Sequence, residues 1–319
     1  MKKTLAILFL LGFIILKSFA QNSNPYEEVD NYVIGLGSMD KMDISEITNK
    51  LTGNLSDRIL KCRSIYYWIA NNIVLDPVSC KKPEKAMIQP EQVVRFRKTN
   101  AKGFALLVQE MCSLSGIRCL VIDGYTQTTI ESIGEKPEDF NHSWNVIQLG
   151  KSPDVWYYID AAKASGFLDE KQNNFTKLFC GDYFFTQDKT FNLDHFPDND
   201  AWLLGESISN KKSFFNMPVV GVEAYQIGLR QIFPLTGIIN AKINQPIKFQ
   251  FYHKRDIDIS SITVLIEGSN KKQKTERINF TDDNGKTNFE YIFNKEIEAN
   301  FKLQINQNPL LSYKIIATE

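Results

Sequence analysis

The spacing of apolar residues changes once along this chain, and that change limits the fold more than any other feature. Between Asp57 and Asn72 apolar side chains recur at Ile59, Cys62, Tyr66, Ile69 and Ile73, the three-four spacing of a helix with one buried face. Ser56 stands where an N-cap is expected. Pro90 opens a second helix, Glu91 to Phe96. A third runs from near Lys102 to Leu114, with Phe104, Leu107, Val108 and Met111 on one face and Gly116 at its end. Beyond it the period falls to two. Arg118 to Asp123, Ser143 to Gln148 and Val155 to Asp160 read as strands, the last two joined as a hairpin through residues 149–154. Helices followed by antiparallel strands give an α+β class.

The last hundred residues alternate throughout. Ile247, Phe249 and Phe251 share a face, as do Ile262, Val264 and Ile266. Phe289, Tyr291 and Phe293 follow, then Phe301, Leu303 and Ile305. Asp283-Asn284-Gly285 is a hairpin turn signal. About seven short strands in this length read as an all-β sandwich, immunoglobulin-like. It shows no catalytic constellation, and its His253 is expected at the surface. The expected organisation is a leader at 1–20, a polar lead-in with one short helix at 21–54, an α+β domain at 55–205, a polar linker at 206–217 and the sandwich at 218–319.

Met1-Lys2-Lys3, the apolar run Thr4 to Leu16 and Ser18-Phe19-Ala20 have the three parts of a cleavable signal peptide, cut after Ala20. Thirteen helical residues reach only about 20 Å, short of a hydrocarbon core of about 30 Å. A secreted or periplasmic chain is expected, with no membrane attachment after cleavage. Removing the leader takes away Lys2, Lys3 and Lys17, leaving 34 basic against 37 acidic residues, a net charge of −3. A nucleic-acid partner is not indicated by that balance. No glycine-rich loop has the strand–helix setting of a phosphate or nicotinamide site, so no cofactor is expected. The five cysteines are an odd number, and three histidines without metal spacing argue against a zinc site.

One stretch carries chemistry. Lys102-Gly103-Phe104-Ala105 begins the third helix and Gly116-Ile117-Arg118-Cys119 makes the helix-to-strand crossing. Asp123-Gly124-Tyr125, Asn141-His142-Ser143-Trp144-Asn145 and Trp156-Tyr157-Tyr158-Ile159-Asp160 follow. In this order the motifs resemble the transglutaminase-like superfamily, a branch of the papain-like cysteine-nucleophile folds. The likeness is to secreted bacterial members and, more distantly, to the kyphoscoliosis-peptidase branch. Tyr67 to Ile73 upstream and Asp194-His195-Phe196-Pro197 with Trp202-Leu203-Leu204 downstream extend it over about 55–205. His195 by itself reads as a structural cap on the domain end.

The resemblance implies a Cys–His–Asp triad, with the thiol at a helix N-terminus, where the partial positive charge lowers its pKa. The family motif Cys-x-Gly-Tyr/Phe-Ala is matched at Gly103-Phe104-Ala105, so the nucleophile position falls on Ala101. His142, 41 residues on, matches the family histidine, and Asp160, a further 18 on, matches the aspartate. Where the family often has a Trp three positions after its aspartate, this chain has Lys163. The implied protein is a pseudoenzyme that binds a peptide or protein ligand through the remnant groove near His142. The alternative is an active glutamine acyltransferase or peptidase of the cell envelope with a displaced nucleophile, Cys80 or Thr99. Cys112 lies about 16 Å along the helix from Ala101, too far to serve.

Overall fold

The computed structural model describes residues 24–150, 155–169, 171–205, 210–269 and 271–319. The leader read at 1–20 lies outside the described residues.

Two helices, not one, form the lead-in: α1 (Glu27–Gly35) and α2 (Ile44–Thr52). α2 is closed by a reciprocal cap between Asp43 and Glu46. α3 (Arg58–Asn72) is capped by Asp57, whose Oδ1 accepts from the amides of Ile59 and Leu60, rather than by Ser56. Asp30 of α1 meets Arg63 of α3 as a two-pronged ion pair, with Nε and Nη2 at 2.8 and 2.7 Å from its two oxygens. Aromatic rings of Tyr26, Tyr66, Tyr67, Phe179 and Phe184 surround the guanidinium at 4.9–6.0 Å.

β1 (Val74–Leu75), α4 (Pro77–Lys81) and α5 (Pro90–Phe96) follow, and β2 (Lys98–Thr99) pairs in parallel with β1. That short pairing delivers the chain to α6 (Ala101–Leu114), whose N-cap is Asn100, accepting from the Gly103 amide. β3 (Arg118–Thr126), β4 (His142–Gln148) and β5 (Trp156–Ile159) come next, then α7 (Ala161–Ser165) and the hairpin β6 (Gly166–Leu168) and β7 (Phe175–Lys177). β8 (Phe184–Thr186), α8 (Asp188–Phe191) and β9 (His195–Pro197) complete this half. The antiparallel sheet runs β8-β5-β4-β3-β9. α6 packs on β3 and β4, and the Asn145 amide holds the contact by donating to the Ala105 and Leu120 carbonyls.

The stretch read as a polar linker contains α9 (Lys211–Phe215), and its Phe214 and Phe215 are buried with Tyr125 and Phe196. β10 (Val219–Val220), α10 (Glu223–Gln226), β11 (Gln231–Phe233), β12 (Ile238–Lys242), β13 (Pro246–Tyr252) and β14 (Ile262–Gly268) follow. β15 (Gln273–Ile278), β16 (Thr281–Asp283), β17 (Lys286–Ile292), β18 (Ile297–Ile305) and β19 (Asn308–Thr318) end the chain. One sheet runs β10-β19-β18-β14-β15, with β12 added in parallel to β19, and the other runs β11-β13-β17-β16. Between them Phe249 stacks on Phe289 at 4.8 Å and on Phe301 at 5.3 Å, as the alternation requires. Asn284 and Gly285 take φ of 57° and 83° in the β16–β17 turn, the left-handed pair that an Asn-Gly hairpin supplies.

His253 is not at the surface. It is fully buried, with Nε2 3.1 Å from Thr287 Oγ1 and 3.4 Å from Asp282 Oδ2, and Nδ1 2.7 Å from the Lys254 carbonyl. An imidazole satisfied on both sides is compatible with burial, which the alternation pattern does not reveal.

Gly124 lies in β3 opposite His142 of β4 and Pro197 of β9. A Cβ there would stand 2.4 Å from both Trp144 Cη2 and the Phe196 carbonyl oxygen. Gly124→Ala is therefore expected to destabilise the chain by about 1–3 kcal/mol through overpacking, where a compatible site would gain about 0.4–1 kcal/mol. Urea denaturation of the two proteins measures the sign.

Candidate functional site

The first turn of α6 explains the glycine of its motif. A Cβ at Gly103 would lie 2.0 Å from Thr99 Oγ1, so β2 and the helix approach this closely only with glycine there. The Thr99 hydroxyl is buried and donates to the Met87 carbonyl at 2.8 Å, which commits it elsewhere. Ala101 is the first residue of the helix.

β4 begins at His142 because Asn141 ties the incoming loop to β3. Its Oδ1 accepts from the Thr126 amide at 2.9 Å, and its Nδ2 donates to the Thr126 carbonyl at 3.0 Å. β5 ends at Ile159, and Asp160, the next residue, caps α7 by accepting from the Lys163 amide on Oδ1 at 2.9 Å. The two sequence-assigned residues meet: His142 Nε2 is 2.6 Å from Asp160 Oδ2. The other ring nitrogen, Nδ1, is thereby turned away from the carboxylate. Trp144 stacks near the ring, with centroids 6.3 Å apart.

A third residue joins them. His195, at the start of β9, places Nε2 3.1 Å from the same Asp160 oxygen. It is fully buried and stacked on Phe191 at 3.8 Å. Its Nδ1 lies 3.1 Å from the Tyr225 hydroxyl of α10 and 3.3 Å from the Phe191 carbonyl. Tyr225 also reaches Asp194 Oδ2 at 3.2 Å, and Asp194 pairs with the Lys163 ammonium. His195 thus does more than cap the domain end. The Asp-His-Phe-Pro stretch was the sequence signal for it, but only the pairing of β9 with β3 brings it to Asp160. Nothing in the sequence pointed to Tyr225.

The thiols stand apart from this cluster in chemistry. Cys62, Cys112 and Cys119 are buried in the core, and the neighbouring thiol, Cys112 for Cys62 and Cys119 for Cys112, together with burial pushes Cys62 and Cys112 well up. Burial, and next Asp182, raise Cys180 to about 12. Cys80, on α4, is raised to about 11 by burial, with Asp76 adding to it. These shifts run opposite to the activation of a nucleophile.

Asp160 is fully buried, which by itself raises a carboxyl pKa, yet His142 and His195 outweigh that and hold it well below the usual range. Its contribution to stability is present above about pH 4 and is lost as pH falls further. His195 is lowered by burial, against the pull of Asp160 and Asp194. The unfolded chain therefore takes up that proton first, and stability starts to fall below about pH 6.5. Denaturation midpoints measured from pH 8 to pH 3 are expected to decline in both ranges, and His195→Gln is expected to remove the upper decline.

Residues 45–161 match the family described as the transglutaminase-like superfamily, a span that contains His142 and Asp160 but not His195. Human kyphoscoliosis peptidase is 28% identical over 225 residues, covering 70% of this chain and 33% of that protein. Hillarin of Drosophila melanogaster is 24% identical over 220 residues, covering 64% and 26%. A solved TGase crystal structure covers 51% of this chain and 37% of its own at 15% identity, with a TM-score of 0.29. The chain spans about a third or less of the length of these curated relatives. The family match and the ordered motifs inside it agree: this chain carries a domain of the transglutaminase-like superfamily.

Proposed function

We propose that this is an exported transglutaminase-like protein without catalysis of its own, which binds a peptide or protein segment across the surface around His142. The observation that carries this reading is the contrast at the two ends of the site. His142 and Asp160 keep a 2.6 Å contact on a fully buried carboxylate, while the helix start that should carry the thiol carries Ala101. The family's acyl chemistry needs a nucleophile within reach of the imidazole. Thr99 is engaged with Met87, and Cys80 has a pKa raised to about 11, so neither favours the displaced-nucleophile reading. The rim suits a polypeptide: Phe140 is 45% exposed, 6.0 Å from the Lys102 ammonium. Lys102 is itself paired with Asp123 at 2.7–2.8 Å.

The test is to remove and to restore chemistry. The wild-type chain is expected to give no amine incorporation into casein and no casein hydrolysis. Turnover abolished by Cys80→Ala would overturn the reading in favour of a displaced nucleophile. Ala101→Cys places a thiol at a helix N-terminus in the motif position of the nucleophile. That new thiol is expected to react with iodoacetamide at pH 7 on the order of a hundredfold faster than Cys80. Equal rates would show that Ala101 is not the vacated position.

A further inference from the structure

His142, Asp160 and His195 are the three residues whose ligand atoms all lie within 4.8 Å of one another among the described residues. Three histidines in the whole chain argued against a metal site, yet the fold gathers two of them on one carboxylate. They arrive from β4 and β9, on either side of β3, with Asp160 just past the end of β5.

Both rings approach the same carboxylate oxygen, His142 Nε2 at 2.6 Å and His195 Nε2 at 3.1 Å from Asp160 Oδ2. The far nitrogen of His195 is held by the Tyr225 hydroxyl at 3.1 Å and the Phe191 carbonyl at 3.3 Å, so the three inward-facing atoms are left to share one point.

We propose that His142 Nε2, His195 Nε2 and Asp160 Oδ2 form a binding site for a divalent first-row transition ion of the zinc class. Two imidazoles and one carboxylate are a donor set such ions take. Ligand atoms about 2.1 Å from a tetrahedral ion stand about 3.4 Å apart. The His195–Asp160 separation of 3.1 Å is close to this, and the His142–Asp160 separation of 2.6 Å must open by about 0.8 Å. His142 is the ligand able to give: its side chain is 11% exposed, while Asp160 and His195 are sealed. The same exposure supplies the entry path. An outer shell is in place: the Phe191 carbonyl and Tyr225 hydroxyl hold His195 by its other nitrogen, and the Lys163 amide holds the second oxygen of Asp160. Three protein ligands leave one position of the ion open. The site is independent of the peptide-binding reading, because none of its ligands needs a vacant nucleophile position.

The experiment is calorimetric titration of Zn2+, and absorption titration of Co2+, into the chelator-stripped, dialysed full chain. One equivalent of each metal is expected to bind, and bound Co2+ is expected to show visible bands of four-coordinate intensity. His142→Ala is expected to weaken binding at least about tenfold and to change the Co2+ spectrum. His253→Gln, away from the site, is expected to leave both unchanged. Because His195→Ala risks the fold, His142, the one ligand with some exposure, is the primary variant. Absence of stoichiometric binding, or binding that His142→Ala leaves unchanged, would overturn the site.

Discussion

The Asp160 carboxylate is the constraint on which the rest of the site depends. One oxygen starts α7 by capping its first turn, and the other receives the ring nitrogens of His142 and His195. A fully buried carboxylate without such contacts carries a large desolvation cost. The end of β5, the start of β4, the start of β9 and the turn into α7 therefore have to arrive at one point together. Trp144 and Phe191 pack around that point, and Gly124 leaves the room in β3 that Trp144 fills.

Much of this was legible in the sequence, for local reasons. The helical spacing located α3 and α6, the β-branched runs located β3 to β5, and the Gly103 motif fixed the start of α6 to within one residue. His142 and Asp160 were singled out by order and spacing, and they do meet. The misses share a cause. His253, Phe214 and Phe215 sit in polar surroundings along the chain and are buried by partners distant in sequence, which no window of residues contains. His195 reached Asp160 only through the pairing of β9 with β3. The second lead-in helix is a different kind of miss: the Asp43–Glu46 capping pair ahead of Ile47 and Leu51 was a local signal.

The two halves are not beads on a string. Tyr225, from the part of the chain that leads into the sandwich, packs tilted against Tyr183 with ring centroids 4.0 Å apart and places its hydroxyl between Asp194 and His195. Most of the buried apolar residues, from both halves, belong to one continuous cluster. Orientation of the Asp160 network is thus set partly by residues beyond the family-matched span, and a change in the sandwich has a mechanical route to His142 through Tyr225 and His195.

Arg63 has a consequence for where such a chain may be divided. Its guanidinium is almost wholly removed from water, enclosed by aromatic rings, and its counter-charge, Asp30, comes from a helix that ends ten residues before the family-matched span begins. A fragment starting at residue 45 would keep every recognisable motif and strand a cation in the core, a loss of about 3–5 kcal/mol for a buried pair broken on one side. The smallest piece able to stand alone is set by where the last buried charge finds its neutraliser, and that lies in a helix that similarity alone would discard.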